Sequence, residues 1–117
     1  MSQLFFTLQN EWVRFSNNEA CVGLTGKGVT GDVVYIELPE VGKTVIKGEP
    51  CATIESVKSI IEVHAPATGV ISGINDNVYD DPDMITKFPQ ETWLFKVVYE
   101  GDADIRGLLD ERQYKEL

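Results

Sequence analysis

Short runs of β-branched and aromatic residues, separated by turn-forming residues, recur along most of the chain. These runs are predicted as strands: Leu4 to Thr7, Trp12 to Phe15, Ala20 to Leu24, Val33 to Leu38, Cys51 to Ser56, Ile60 to Ala65, Gly69 to Ile74 and Thr92 to Tyr99. The connections are too short for the helical crossovers that parallel strands require, so the strands are expected to pair antiparallel. The sequence therefore predicts a mainly β fold, a flattened antiparallel β-barrel or sandwich.

Helix is predicted only in the last third of the chain. One turn is predicted from Pro82 to Thr86, with Asp81 as its N-cap and Pro82 in the first helical position. A second, C-terminal helix is predicted behind an aspartate cap, Asp102 or Asp104. Its apolar residues repeat at helical spacing, namely Ile105, Leu108, Leu109 and the stem of Arg112. Gly107 would weaken this helix by up to about 1 kcal/mol.

Length and charge limit the classes of function. A chain of 117 residues is expected to form one compact domain, 1–117. Its net charge of -9 would repel polyanions, so neither nucleic acid nor an anionic membrane surface is expected as a partner. The sequence has no basic, signal-like N-terminal region, and no segment approaches the ~20 apolar residues of a membrane span. A cytoplasmic protein is expected.

Catalysis by side chains is hard to assemble from this sequence. The single histidine, His64, lies inside a predicted strand and is interpreted as structural. No Gly-x-Ser-x-Gly motif is present, and no second histidine completes a zinc site with Cys21 or Cys51. The two cysteines are interpreted as reduced structural thiols. Hydrolase and metalloenzyme functions are therefore not expected.

The segment from Pro50 to Pro66 stands apart, because two extended runs flank the pair Val57-Lys58. If that pair is the turn, one face of the hairpin is apolar and the other polar. The inward residues are then Ala52, Ile54, Ile61, Val63 and Ala65, and the outward residues Thr53, Glu55, Glu62 and His64.

The pair Val57-Lys58 is a poor local choice for a two-residue hairpin turn, which normally takes residues of positive φ such as Asn-Gly. Local rules fail most often at functional sites, so Lys58 is a candidate functional residue. The alternative interpretation is an ordinary lysine in a slightly longer, type I loop.

The run Glu55-Ser56-Val57-Lys58, followed by Ala65-Pro66-Ala67-Thr68-Gly69, resembles the lipoyl-attachment segment of glycine cleavage H proteins. The resemblance extends over essentially the whole chain, through Glu11-Trp12-Val13, the stretch from Gly31 to Gly42, and Trp93-Leu94-Phe95-Lys96-Val97. It implies a lipoyl/biotinyl-type hybrid barrel with short helices and lipoic acid in amide linkage to Lys58. Glu55, Ser56 and Val57 would form the recognition turn.

The same resemblance implies a carrier and not an enzyme. Such a carrier shuttles the aminomethyl intermediate of glycine cleavage between glycine decarboxylase, aminomethyltransferase and dihydrolipoyl dehydrogenase. A lipoate ligase or lipoyl transferase would load the arm. Glu55 and Glu62 bracket the lysine and would help that enzyme to find it.

The chain departs from the family pattern at three places. Asn10 replaces the usual histidine, Thr25 to Gly31 is shorter than the family's helical segment, and Lys87 to Thr92 replaces a glycine-rich approach to the late tryptophan. These segments lie where an H protein would meet its enzymes. An H-like protein is therefore the alternative, acting in lipoyl relay to 2-oxoacid dehydrogenases or in a redox response with a macrodomain and a protein ADP-ribosyltransferase.

Two further classes stay open on the sequence alone. One is a biotinyl or other lipoyl-type domain of a larger complex, which usually shows Met-Lys-Met or Asp-Lys at the turn. The other is a structural β-module in which Lys58 carries no modification.

Overall fold

The computed structural model describes residues 2–117, which form nine strands and three short helices. The strands are β1 (Gln3–Phe6), β2 (Glu11–Ser16), β3 (Glu19–Leu24), β4 (Val33–Glu37), β5 (Thr44–Val45), β6 (Pro50–Ser56), β7 (Ile60–His64), β8 (Gly69–Ile74) and β9 (Trp93–Val98). Every predicted strand is confirmed to within one residue at each end. Only β5 was not predicted, because two residues are too short to show an alternating pattern.

The strands form two antiparallel sheets. The larger has the order β1-β2-β3-β9-β8-β5 and the smaller the order β4-β6-β7. Neither sheet closes on itself, and the molecule is flattened, with principal extents of 39 × 36 × 23 Å. The mainly β prediction is therefore confirmed, and of its two arrangements the sandwich is the one observed.

The main core lies between the sheets. Ile54 and Val63 of the smaller sheet and Val22, Phe95 and Val97 of the larger one are all fully buried there. Side chains alternate along each strand, so the β6–β7 hairpin gives its apolar face to this core and its polar face to solvent. The apolar contacts of the hairpin thereby fix which side chains are presented outward.

A second, smaller cluster packs Phe6, Trp12 and Tyr114 on one another. The Phe6 and Tyr114 rings stack with their centroids 4.7 Å apart. The Trp12 indole N–H donates to the carbonyl of Pro89 at 2.9 Å. This cluster ties the C-terminal segment to the first two strands.

The helices are α1 (Asn77–Asp80), α2 (Met84–Lys87) and α3 (Glu111–Lys115). The turn predicted from Pro82 to Thr86 begins two residues late, with Asp83 and not Asp81 in the N-cap position. No helix within residues 2–117 is long and apolar enough to cross a lipid bilayer.

The predicted C-terminal helix is wrong in position. Gly107 has a φ of +82°, and Leu109 forms a β-bridge with Phe6, so the residues around them are not helical. The helix begins instead after Asp110, whose carboxylate accepts from the Gln113 amide at 2.8 Å. Gln113 in turn accepts from the Asp110 amide at 2.9 Å, which completes a capping box.

Candidate functional site

The β6–β7 hairpin carries Lys58 at its tip. Glu55 pairs with Ile60, and the Ser56 amide donates to the carbonyl of Ser59 at 2.8 Å. Val57 and Lys58 therefore lie at the tip of the hairpin, as the alternating pattern predicts, and three residues, 57–59, separate β6 from β7. Ala52, Ile54, Val63 and Ala65 are buried, while Ile61 is partly buried.

This turn is held by a side chain. Among residues 2–117, the non-glycine residues with positive φ are Asn10, Asn17 and Asn18, so neither Val57 nor Lys58 has the conformation of the usual hairpin turns. The buried Ser56 hydroxyl accepts from the amides of Lys58 at 3.2 Å and Ser59 at 3.1 Å. A serine side chain thus supplies the acceptor for the turn.

The loop that precedes β4 contacts the turn of Val57 and Lys58, because β4 pairs with β6. The Val57 amide donates to the carbonyl of Asp32 at 2.9 Å. Gly31, with a φ of +80°, lies beneath Val57 and the stem of Lys58. Sequence reasoning missed both residues, because only the pairing of β4 with β6 brings them to the turn. The Gly31-Asp32 pair that precedes a strand was the available signal.

The Lys58 side chain is exposed, and no ion pair within residues 2–117 engages its ammonium group. An accessible amine is what acylation of a lysine requires. The residues present at this turn therefore fit an amide-linked prosthetic group.

The outer face of the smaller sheet, next to Lys58, combines apolar and acidic groups. Tyr35 is opposite Glu55, and Glu55 is opposite Ile60, so these three side chains share the face. Ile60 is 69% exposed and Tyr35 49%. Glu37 and Glu62 lie one row further along, opposite Thr53. Exposed apolar groups beside the lysine are thus bordered by carboxylates.

His64 lies at the other end of β7 and has a structural partner. The buried Glu11 carboxylate accepts from the His64 backbone amide at 2.7 Å, and the His64 Nδ1 lies 2.8 Å from the same oxygen. The second Glu11 oxygen accepts from the Thr7 hydroxyl at 3.1 Å. These contacts join β2 to β7 and support the structural interpretation of His64.

The two cysteines are free thiols, both partly buried. Burial raises the pKa of Cys21 to about 11, against the opposing effect of Lys96 and Arg14. Burial, together with the Glu49 carboxylate, raises the pKa of Cys51 to about 11. Both groups are therefore protonated thiols at neutral pH, as expected of structural cysteines.

We expect both cysteines of the folded protein to react with iodoacetamide roughly a hundredfold more slowly than exposed thiols at pH 8, because the thiolate is the nucleophile. Since both pKa values are raised, the reaction rates should keep increasing toward pH 11. Peptide mass spectrometry of quenched samples measures each rate. The same chain unfolded in urea is the control, and equal rates in the folded and unfolded chains would contradict this expectation.

Comparison with known proteins identifies the family. The family model described as glycine cleavage H-protein matches residues 4–117. The glycine cleavage system H protein of Thermotoga maritima is 43% identical over 114 residues, which cover 95% of this chain and 92% of the relative. That of Listeria monocytogenes serotype 4a is 36% identical over 117 residues, covering 97% and 94%.

A solved structure supports the same family. The crystal structure of a glycine cleavage system H protein from Mycobacterium marinum matches with a TM-score of 0.85 and 33% sequence identity, over 97% of this chain and 94% of that one. The resemblance that the hairpin motif indicated is therefore confirmed over nearly the full chain. The chain belongs to the glycine cleavage H-protein family, whose members are carrier subunits and not catalysts.

Proposed function

We propose that this chain is a lipoyl carrier, modified on Lys58, that shuttles the aminomethyl intermediate of glycine cleavage between enzymes. The observation that carries the proposal is an exposed lysine with no ion-pair partner among residues 2–117, at the tip of a turn that is held by Ser56 and by Asp32. A lipoyl group in amide linkage to Lys58 supplies a redox-active dithiolane at the end of a long arm.

The residues around Lys58 have separate roles in this proposal. Ser56 holds the turn, so the root of the arm points away from the sheets in one direction. Val57, which is 64% exposed, and Glu55 beside it give the lipoate ligase or lipoyl transferase a surface to contact. Acylation removes the charge of Lys58 and leaves the neighbouring carboxylates, so the modified tip is more acidic than the unmodified one.

Charge also suits the proposed partners. The net charge of -9 and the carboxylates near the turn would speed encounters with any active-site entrance that is basic. Brief visits to glycine decarboxylase, aminomethyltransferase and dihydrolipoyl dehydrogenase require fast association more than a large apolar interface. The proposal includes a cytoplasmic location and a single lipoyl-carrier domain over 1–117.

The first test is an assay of the proposed cycle. We expect the lipoylated protein to support glycine–bicarbonate exchange with the glycine decarboxylase of its own host, at a rate comparable to that of a known H protein. The unlipoylated protein, prepared from the same cells grown without lipoate, is the control. Exchange equal to that of this control would contradict a role in glycine cleavage.

One observation favours a second candidate function. The connection from Thr25 to Asp32 contains turns and bends but no helix, and it supports the lysine-bearing turn directly. A changed connection at that place alters the surface that partners meet, and carriers discriminate between enzymes through such surfaces. An H-like protein in lipoyl relay, or in a redox response with a macrodomain and an ADP-ribosyltransferase, would differ there.

The two functions are separated by one further measurement. Lipoyl transfer from this protein to a 2-oxoacid dehydrogenase subunit, without glycine–bicarbonate exchange, would favour the relay. Exchange without such transfer would favour glycine cleavage.

A further inference from the structure

The turn that carries Lys58 depends on the chain segment before β4. Neither Val57 nor Lys58 has positive φ, so the turn lacks the backbone conformation that matches the twist of two paired strands. The Val57 amide of this turn donates to the carbonyl of Asp32 at 2.9 Å, and Asp32 lies in another part of the chain. The position of that carbonyl therefore contributes to the position of Lys58.

Gly31 directly precedes Asp32, so its backbone conformation contributes to the position of this carbonyl. Its φ of +80° lies in a region that side-chain-bearing residues seldom adopt. A Cβ at Gly31 would lie 3.0 Å from the Val57 Cγ2, which is closer than ordinary van der Waals contact. It would also lie 3.6 Å from the Lys58 Cγ and 3.7 Å from its Cδ. The turn and the stem of the lysine therefore rest on a residue without a side chain.

We propose that Gly31, acting through the Asp32 carbonyl and through its contact with Val57, is a positioning residue for the acylation of Lys58. This inference rests on the proposed function. A modifying enzyme must bring the lysine amine to the acyl carbon of an activated lipoyl group, and displacement of such a group by about 1 Å can cost a hundredfold in rate. Gly31 acts through the geometry of the turn and makes no contact with the reacting atoms.

Gly42 offers a matched control. Its φ is +94°, so an alanine there strains the backbone in the same way, but its added Cβ would meet nothing within 4 Å. The substitutions Gly31→Ala and Gly42→Ala thus share the conformational cost, and only the first reaches the turn. A difference in lipoylation between folded forms of the two variants therefore reports the contact with the turn and not the conformational strain that they share.

The experiment measures lipoylation of the full unmodified chain by a lipoate ligase with lipoate and ATP, followed by intact mass. We expect kcat/KM for Gly31→Ala to fall about tenfold, mainly through kcat, and that for Gly42→Ala to stay within about twofold of the wild type. Hydrogen exchange at the Val57 amide gives a readout that does not need the ligase. Its protection should be lost in Gly31→Ala and kept in Gly42→Ala.

If Gly31→Ala does not fold, the same comparison of lipoylation rates is made with Gly31→Asn and Gly42→Asn. Asparagine tolerates positive φ but still carries a Cβ. We expect Gly31→Asn to be modified about threefold more slowly than Gly42→Asn, through the remaining contact with Val57. Combining Gly31→Asn with Val57→Ala should restore the rate to that of Val57→Ala alone.

The outcomes separate this inference from the proposed function. Equal rates for the Gly31 and Gly42 variants, with the wild type modified normally, would overturn the role of Gly31 and leave the carrier function intact. A wild-type chain that the ligase does not modify would overturn the proposed function, and the inference with it.

Discussion

Lys58→Arg should abolish lipoylation of this protein, although the substitution keeps a positive charge at the tip of the β6–β7 hairpin. A guanidinium group cannot form the amide that an acyl-adenylate makes with an amine. Intact mass after incubation with a lipoate ligase, lipoate and ATP, together with a peptide map, measures the result. We expect the wild-type chain to gain the mass of one lipoyl group and Lys58→Arg to gain none.

The other lysines provide the controls. Lys43→Arg is the best matched, because Lys43 is also exposed and also lies beside a turn, but outside the hairpin. Lys47 is bonded to the carbonyl of Asp104 at 2.9 Å, and Lys96 lies over the Trp93 ring. The expected result is wild-type modification when any of these lysines is replaced, namely Lys27, Lys43, Lys47, Lys87, Lys96 and Lys115. A lipoyl group on one of them, or one that persists in Lys58→Arg, would refute the assignment.

Inserting one glycine between Ser56 and Val57 should lower the rate of lipoylation by about a hundredfold. The insertion moves Lys58 and Ser59 away from the Ser56 hydroxyl, which accepts from both of their amides. It also removes the Val57 amide from the Asp32 carbonyl, or else shifts one strand so that its inward side chains turn outward. Either response displaces the lysine relative to the sheet that presents it.

A glycine inserted between Gly101 and Asp102, in an exposed loop, is the control for the general effect of a longer chain. Initial rates of modification, measured on variants whose circular dichroism matches that of the wild type, give the comparison. If the Ser56 insertion folds and is modified at the wild-type rate, the ligase reads the sequence alone and the geometry of the turn is irrelevant.

The strands could be predicted because their signal is local. Segments such as Ile61 to Ala65 alternate apolar and polar residues between turn-forming clusters, and the same alternation separates Ile54 and Val63 from Glu55 and Glu62. Such a pattern reports burial on one face of a sheet, which is what the structure contains. The position of the turn then predicts which residues of β6 and β7 pair with each other.

The C-terminal helix was misplaced because two local signals competed. Apolar spacing around Leu108 and Leu109 favoured an early helix, but Leu109 pairs with the edge of β1, a contact distant in sequence. The capping box of Asp110 and Gln113 was the better signal. Tertiary pairing overrode the periodicity of the apolar residues.

The site was predictable only in part. Val57 and Lys58 stand out locally, because they are poor turn residues between two good strands. The contacts that hold them come from Ser56 and from Asp32, and the second of these depends on strand order. The bond between Glu11 and His64 likewise joins residues 53 positions apart. The alternation of apolar and polar residues within a strand does not assign such distant partners.

The raised pKa values of Cys21 and Cys51 have a consequence for the proposed carrier, whose arm would end in sulfur. Thiol–disulfide exchange begins with a thiolate, and neither cysteine provides one in quantity near neutral pH. The oxidised arm proposed on Lys58 would therefore exchange only slowly with Cys21 or Cys51. The oxidised arm would stay available to the next enzyme and would not be held in a mixed disulfide with a cysteine of the carrier.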